Sequence, residues 1–298
     1  MSECAKNGLI LKGIGGFYTV ITDDEFIYTC KARGRFRKDK TSPIVGDRVE
    51  ILCNDSDFTG SILEICERRN ELVRPTVANI DKLLIVISAS SPKQDLVLLD
   101  KLLITCEILN ITPVIIINKI DEADNDKQMI ISEYTPSGYK IHTVSAAMGT
   151  NIDLIMNELE KSVCCLTGQS AVGKTSIVNR IFPELNLEVG SLSEKTDRGK
   201  HATRHVELWK TNNGGAVLDT PGFSVFDAFD IEPNKLCEYY PEMRRNTNQC
   251  RFIDCSHINE PDCSVKALLV ENKLSHGRYE RYKKIFAEVS QAYKHRFD

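Results

Sequence analysis

Two short nucleotide motifs stand in an inverted order, and that order restricts the fold more than any other feature of the chain. Asn118-Lys119-Ile120-Asp121 has the residues of a guanine-recognition loop. It precedes a phosphate loop, Gly168-Gln169-Ser170-Ala171-Val172-Gly173-Lys174-Thr175. Guanine-nucleotide domains ordinarily present the phosphate loop first. Either the domain is circularly permuted or one of the two motifs is accidental.

The phosphate loop has the context that its chemistry needs. It follows an apolar strand signal, Val163 to Leu166, and opens a helical stretch, Ser176 to Ile181. Glycines let backbone N–H groups wrap phosphates, and a helix N-terminus adds positive potential. Lys174 is expected to reach the β and γ phosphates, with Thr175 as a Mg²⁺ ligand. Asp219-Thr220-Pro221-Gly222 closes a later strand, Gly215 to Leu218, paired antiparallel with Val206 to Trp209. Asp219 is expected to hold Mg²⁺ through water, and the Gly222 N–H to face the γ phosphate; the alternative is an ordinary turn.

Base selection falls to Asn118, Lys119 and Asp121 at the end of the strand Val114 to Ile117. A carboxylate at Asp121 can accept from both N1–H and the 2-amino group of guanine, whereas adenine would leave it unpaired. Asn118 is expected to brace the loop and Lys119 to pack along the base. Ser145 and Ala146 follow the next short strand, Ile141 to Val144, where a backbone N–H can meet guanine O6. Loops that end parallel strands share one edge of a sheet. One pocket can therefore gather them whatever their order in the chain. The linker from Ala146 to Val163 needs a single helix, Ile152 to Leu159.

Residues 190–205 are polar and lie between the phosphate loop and Asp219. Thr203 is the candidate second Mg²⁺ ligand. His201 is the candidate catalytic residue, orienting the attacking water, against a plain solvent-facing loop histidine.

Strands alternating with helices, including Leu83 to Ile87, the helix Leu96 to Leu109 and a helix over 125–135, imply a parallel α/β sheet. Before it, short strand signals broken by glycines imply a small β-barrel of the oligonucleotide-binding type. They are Phe17 to Ile21, Phe26 to Cys30, Val45 to Leu52 and Gly60 to Ile65. A net charge of −4 hides a basic run of Lys31, Arg33, Arg35, Arg37, Lys38 and Lys40 between two of these strands. It is either a solvated loop or a surface for nucleic-acid phosphates.

The tail differs again. Residues 234–245 suit a helix, and Arg278 to Arg296 another, with Tyr279, Tyr282, Ile285, Phe286, Val289 and Tyr293 as its apolar seam. Among eleven cysteines, Cys250, Cys255 and Cys263 cluster around His257. Three thiolates and an imidazole complete a tetrahedral Zn²⁺ shell with no open position, hence a structural metal; three chance surface cysteines are the alternative. The odd cysteine total and the lack of an export signal favour a reducing cytoplasm. No apolar run approaches the length of a membrane span.

Together these residues resemble the bacterial circularly permuted GTPases that act on the small ribosomal subunit. The resemblance covers nearly the whole chain. It rests on the barrel, on residues 118–121, 168–175, 199–205 and 219–222 in that order, on the cysteine–histidine cluster, and on 74–81 at the junction. It implies three parts: an OB-type RNA-binding barrel over 1–70, a permuted GTPase domain over 71–225, and a zinc-binding helical domain over 226–298. It implies GTP hydrolysis coupled to late maturation of that subunit, stimulated by the particle and its rRNA. It also implies a catalytic role for the histidine of the Gly199-Lys200-His201 segment. Residues 168–176 would hold the nucleotide, Ser176 included. Ala171 stands where the family usually has glycine, a change of little cost at a negative φ. Ala202 replaces a usual threonine, which leaves Thr203 as the available Mg²⁺ ligand. A cytoplasmic monomer is expected. The rival readings are a GTPase for another RNA or protein, and a nucleotide-gated binding module in which hydrolysis is incidental.

Overall fold

The computed structural model describes residues 4–33, 36, 41–73, 75–122, 126–185, 187, 207–211, 213–219 and 231–295. Contacts divide the chain into two compact units, one of 1–84, 152–170 and 174–223, the other of 85–151, 171–173 and 224–298.

The first unit contains a closed five-stranded barrel. Its strands are β1 (Cys4–Ile14), β2 (Phe17–Thr22), β3 (Ile27–Ala32), β4 (Arg48–Asn54) and β5 (Thr59–Ile65), in the order β1-β2-β3-β5-β4. Alternation with period two turns Val49, Ile51 and Cys53 of β4 inward, where they join Ile10, Val20, Tyr28, Cys30 and Ile62 in the core. The first strand was not evident from sequence. Gly8 interrupts its pattern, yet the sheet requires that glycine: a Cβ there would lie 2.6 Å from the Ile21 carbonyl oxygen. Just before β4, Gly46 adopts φ +86°, and a Cβ would meet the Ala78 carbonyl oxygen at 2.1 Å. Buried Asp47 pairs with half-buried Arg68 at 2.7 Å and secures the same corner.

A six-stranded sheet follows. Its strands are β8 (Lys82–Ser88), β9 (Thr112–Asn118), β10 (Lys140–Thr143), β11 (Val163–Thr167), β12 (Leu208–Lys210) and β13 (Ala216–Asp219), after a small pair β6 (Glu71–Val73) and β7 (Thr76–Ala78). The order is β10-β9-β8-β11-β13-β12, with β9–β10 and β11–β13 parallel and β12–β13 antiparallel. The apolar runs of β8 and β9 are buried almost throughout, as strands covered on both faces must be.

Helix α1 (Leu96–Leu109) has the expected bounds. Asp95 caps it by accepting from the Leu98 N–H, and Asn110 ends it in the left-handed region. Leu99, Leu102, Leu103 and Cys106 are its buried side. The others here are α2 (Lys127–Tyr134), α3 (Ile152–Leu159) and α4 (Lys174–Ile181).

The expected helix over 234–245 is broken. A 3₁₀ segment, Pro233–Tyr239, gives way to the single turn α5 (Pro241–Arg244). Pro241 holds Tyr240 extended, at φ −114° and ψ 99°, so the helix cannot run through. After α6 (Ser264–Val270) comes α7 (His276–Lys294), whose Tyr279, Tyr282, Ile285 and Val289 enter the second unit's core. The rest of α7 is mostly basic in sequence. One of those basic residues, Arg278, is 1% exposed. Its guanidinium meets Asp100 of α1 at 2.6 Å and Glu242 of α5, and lies over the rings of Tyr134 and Tyr240. Arg281 adds Asp100 at 2.7 Å and Glu133 at 3.0 Å. No described helix is long and apolar enough to cross a membrane.

Candidate functional site

Strand β9 ends at Asn118, and this side chain organises the site. It is 2% exposed. Its Oδ1 accepts from the Ala146 N–H at 3.0 Å, and its Nδ2 donates to the Val172 carbonyl at 2.9 Å. One carboxamide thereby joins the base-recognition loop, the segment after β10 and the phosphate loop, the last 54 residues along the chain. Gly173 makes the close approach possible: a Cβ there would sit 2.2 Å from Asn118 Nδ2, and its φ is +96°. Lys119 is in the left-handed region at φ +65° and donates to the Ser91 carbonyl. Asp121 is exposed at the loop's tip. The Ser145 N–H donates to the Thr150 carbonyl, and the Ser145 Oγ accepts from the Met148 N–H. The N–H groups of Ser145 and Ala146 are thus engaged within the protein, and these residues shape the loop that follows.

In the phosphate loop, β11 runs into Gly168 at φ +138°. Gln169 and Gly173 are half-buried, Ser170 is exposed, and Val172 is buried. The helix begins at Lys174, two residues before the sequence pattern implied; Thr175 is buried and Ser176 half-buried in its first turn. Lys174 Nζ donates to the carbonyls of Gly168 and Gln169, so the ammonium sits across the mouth of its own loop. Ala171 corrects an expectation. Its φ is +63°, so the alanine occupies a conformation natural to the family's glycine and pays a steric cost for its Cβ. In the register of β11 with β13, Asp219 lies opposite Leu166, which brings the end of β13 beside the strand that feeds the loop. His201, Thr203 and Gly222 lie outside the described residues.

The tail cluster is a separate centre. Cys250 Sγ lies 3.9 Å from Cys263 Sγ and 3.6 Å from His257 Nδ1, which is 3.4 Å from Cys263 Sγ. Cys255 completes the set, with all four ligand atoms within 4.8 Å of one another. Bonds of about 2.3 Å to sulfur and about 2.0–2.1 Å to nitrogen, at tetrahedral angles, separate sulfurs by about 3.8 Å and sulfur from nitrogen by about 3.5 Å. The observed spacings fit that shell, and the donor set is that of a structural zinc site. Cys255 and Cys263 are buried, not surface thiols.

The surroundings prepare these donors. Burial holds the His257 ring below its ordinary pKa, hence neutral and able to ligate. Burial pushes the Cys255 thiol up to about 12 and raises Cys263 as well. At Cys250 burial is outweighed by hydrogen bonds from Ser264 and from the N–H groups opening α6, and its pKa is lowered. His257 itself has φ +62°, and Tyr279 Oη holds its carbonyl at 2.7 Å. Glu260 fixes the turn by accepting from the Ser256 N–H, the Ser256 hydroxyl and the Ile258 N–H.

Of the basic run, Lys31 and Arg33 are described and exposed, with Lys31 Nζ 4.9 Å from the Phe17 ring centre. Arg35, Arg37, Lys38 and Lys40 lie outside the described residues. Sequence reading missed the Asn118 bridge to Val172, because nothing local marks a contact so distant in the chain.

Comparison with known proteins agrees with this geometry. A family model described as RsgA GTPase matches residues 65–229, and one described as RsgA N-terminal domain matches 7–62. The small ribosomal subunit biogenesis GTPase RsgA of Ruminiclostridium cellulolyticum is 45% identical over 281 residues, spanning 94% of this chain and 92% of that protein. The protein of the same name from Halalkalibacterium halodurans is 40% identical over 294 residues, 97% and 99% of the two chains. Among solved structures, YjeQ from Thermotoga maritima matches with TM-score 0.83 and 31% identity, covering 96% of this chain and 99% of its own. YloQ, described as a circularly permuted GTPase, matches with TM-score 0.81 and 33% identity, over 97% and 96%. The inverted motif order is a genuine permutation, and the chain belongs to the RsgA family of circularly permuted GTPases.

Proposed function

We propose that this protein hydrolyses GTP to GDP and phosphate in step with late maturation of the small ribosomal subunit, with turnover stimulated by that particle. The observation that carries the reading is the Asn118 carboxamide, bonded at once to Ala146 and to Val172. It supports a reading in which residues 118–121 take the base, residues 145–146 shape the loop beside them, and residues 168–176 take the phosphates.

In this reading Asp121 accepts from the guanine edge. Lys174 leaves the carbonyls of Gly168 and Gln169 for the β and γ phosphates, trading neutral acceptors for anionic ones. Mg²⁺, when bound to Thr175, Thr203 and Asp219, would neutralise charge on the phosphates. His201 orients water in line with the β–γ bond, and the Gly222 N–H senses the γ phosphate. Residues 1–70, 71–225 and 226–298 act as barrel, GTPase and zinc-binding domain, in a monomer of the cytoplasm. Lys31, Arg33, Arg35, Arg37, Lys38 and Lys40 contact rRNA phosphates. A-form helices hide their base edges in a deep major groove, so shape and backbone charge carry recognition.

The test is GTP turnover by the full-length protein, alone and with purified small or large ribosomal subunits. Slow basal turnover raised at least tenfold by small subunits is expected, with His201→Ala removing the stimulation. A rate indifferent to small subunits would overturn the proposal.

A further inference from the structure

A second cluster of ligating side chains, Cys4, Cys53 and Asp55, lies in the barrel. Cys4 of β1 and Cys53 of β4 are direct partners in the antiparallel register, and both are free thiols. Their sulfurs are 3.4 Å apart. Directly opposed residues of an antiparallel pair have Cα atoms about 4.5–5.5 Å apart, within the range that a disulfide spans. The S–S bond of about 2.05 Å then needs only side-chain rotation to close the remaining gap. Cys53 is fully buried, while Cys4 is half-exposed. Asp55 stands beside both, its oxygens 3.9 Å from Cys4 Sγ and 3.8 Å from Cys53 Sγ. Lys6 and Tyr28 fix that carboxylate, at 3.0 and 2.6 Å. Cys30, further along the same row of the barrel, is kept apart by Gly60, which pairs with Cys53 on one side and Cys30 on the other.

We propose that Cys4 and Cys53 form a reversible dithiol–disulfide site that staples the first strand of the barrel to the fourth under a low-molecular-weight disulfide oxidant such as oxidised glutathione. The Cys4 thiolate attacks one sulfur of the oxidant. The oxidant's S–S bond breaks, a mixed disulfide forms at Cys4, and one glutathione thiolate leaves. Burial keeps Cys53 protonated at first, so the accessible Cys4 reacts before it. The Cys53 sulfur attacks the Cys4 sulfur, the bond from Cys4 to glutathione breaks, and the Cys53 proton passes to the departing glutathione sulfur. Two electrons pass from the protein dithiol to the oxidant, and the two protons end on two glutathione thiols. The product crosslinks the barrel end that carries Phe26 and Phe58, two half-exposed rings stacked at 6.2 Å.

The test uses zinc-loaded full-length protein carrying Cys66→Ser, so that the peptide bearing Cys53 has no second thiol. It is equilibrated with glutathione buffers of graded oxidised-to-reduced ratio, alkylated, digested and analysed by mass spectrometry. The expected product has lost two hydrogens, joins the Cys4 peptide to the Cys53 peptide, and reverts with dithiothreitol. The oxidised protein is expected to melt several degrees higher, and Cys4→Ser to abolish both changes. Three results would overturn the proposal: free thiols at Cys4 and Cys53 after oxidation, glutathione retained on Cys4 without closure, or a second zinc equivalent that shields the pair.

Discussion

At the scale of single residues, Asn118 matters more for what it connects than for what it touches on a nucleotide. Asn118→Ala removes the bonds that its carboxamide makes to the Val172 carbonyl and the Ala146 N–H. Each unmade bond of this kind costs about 1–3 kcal/mol. Denaturant unfolding is expected to show a loss in that range, and nucleotide titration a weakening of at least tenfold. Unchanged values in both would remove Asn118 from the organisation of the pocket. Ala171 points the other way. Ala171→Gly relieves a left-handed backbone at some cost in unfolded-state entropy, for a net gain of up to about 1 kcal/mol, readable as a higher denaturation midpoint. A fall in stability would mean that the alanine side chain contributes packing that its exposure does not suggest. The substitution was visible in the sequence, but the sign of φ was not, because the loop as a whole sets it.

At the scale of elements, helices and strands with strong periodicity were legible and long-range polar contacts were not. Leu96 to Leu109 declared itself through its apolar spacing. Strand β1 did not, since Gly8 reads as a breaker until Ile21 is seen against it. Nothing local marks Arg278 as buried, because its partners, Asp100 and Glu242, come from distant parts of the chain. Arg278→Met is expected to destabilise by about 3–5 kcal/mol, since it strands the buried Glu242 carboxylate and takes from Asp100 one of its two cations. Combining it with Asp100→Asn and Glu242→Gln should recover part of that loss, and a triple variant as unstable as the single would show that packing dominates. The zinc element carries its own pH dependence. Cys255, with its thiol pushed up to about 12, must release a proton when metal binds. Protons therefore compete with the ion: affinity is expected to rise with pH through the neutral range, about tenfold per unit for each proton released. Competition with a chelator at several pH values measures this, and a flat profile would contradict a thiolate-ligated ion. Chelation at neutral pH is also expected to lower the helical signal of the tail.

At the scale of the whole molecule, the permutation works because position on a sheet edge, not order in the sequence, decides which loops meet. The strand order β10-β9-β8-β11-β13-β12 sets β9, which ends in Asn118, two places from β11, which feeds Gly168. The paired motifs made this much legible, since each loop needs a strand before it and the linker between them needs a helix. The role of Thr203 rested on position between two motifs, a weaker signal than a motif itself, and that of His201 on position together with the family resemblance. The central claim is that the earlier loop reads the base of the same nucleotide whose phosphates the later loop holds. The most direct measurement is fluorescence titration of wild type and Asp121→Asn with guanosine and xanthosine triphosphates. Two hydrogen bonds to a charged group, at about 1.5–3 kcal/mol each, set the scale. Asp121→Asn is expected to weaken guanosine triphosphate by about a hundredfold or more and to strengthen xanthosine triphosphate. Undiminished guanosine triphosphate affinity in the variant would contradict the account.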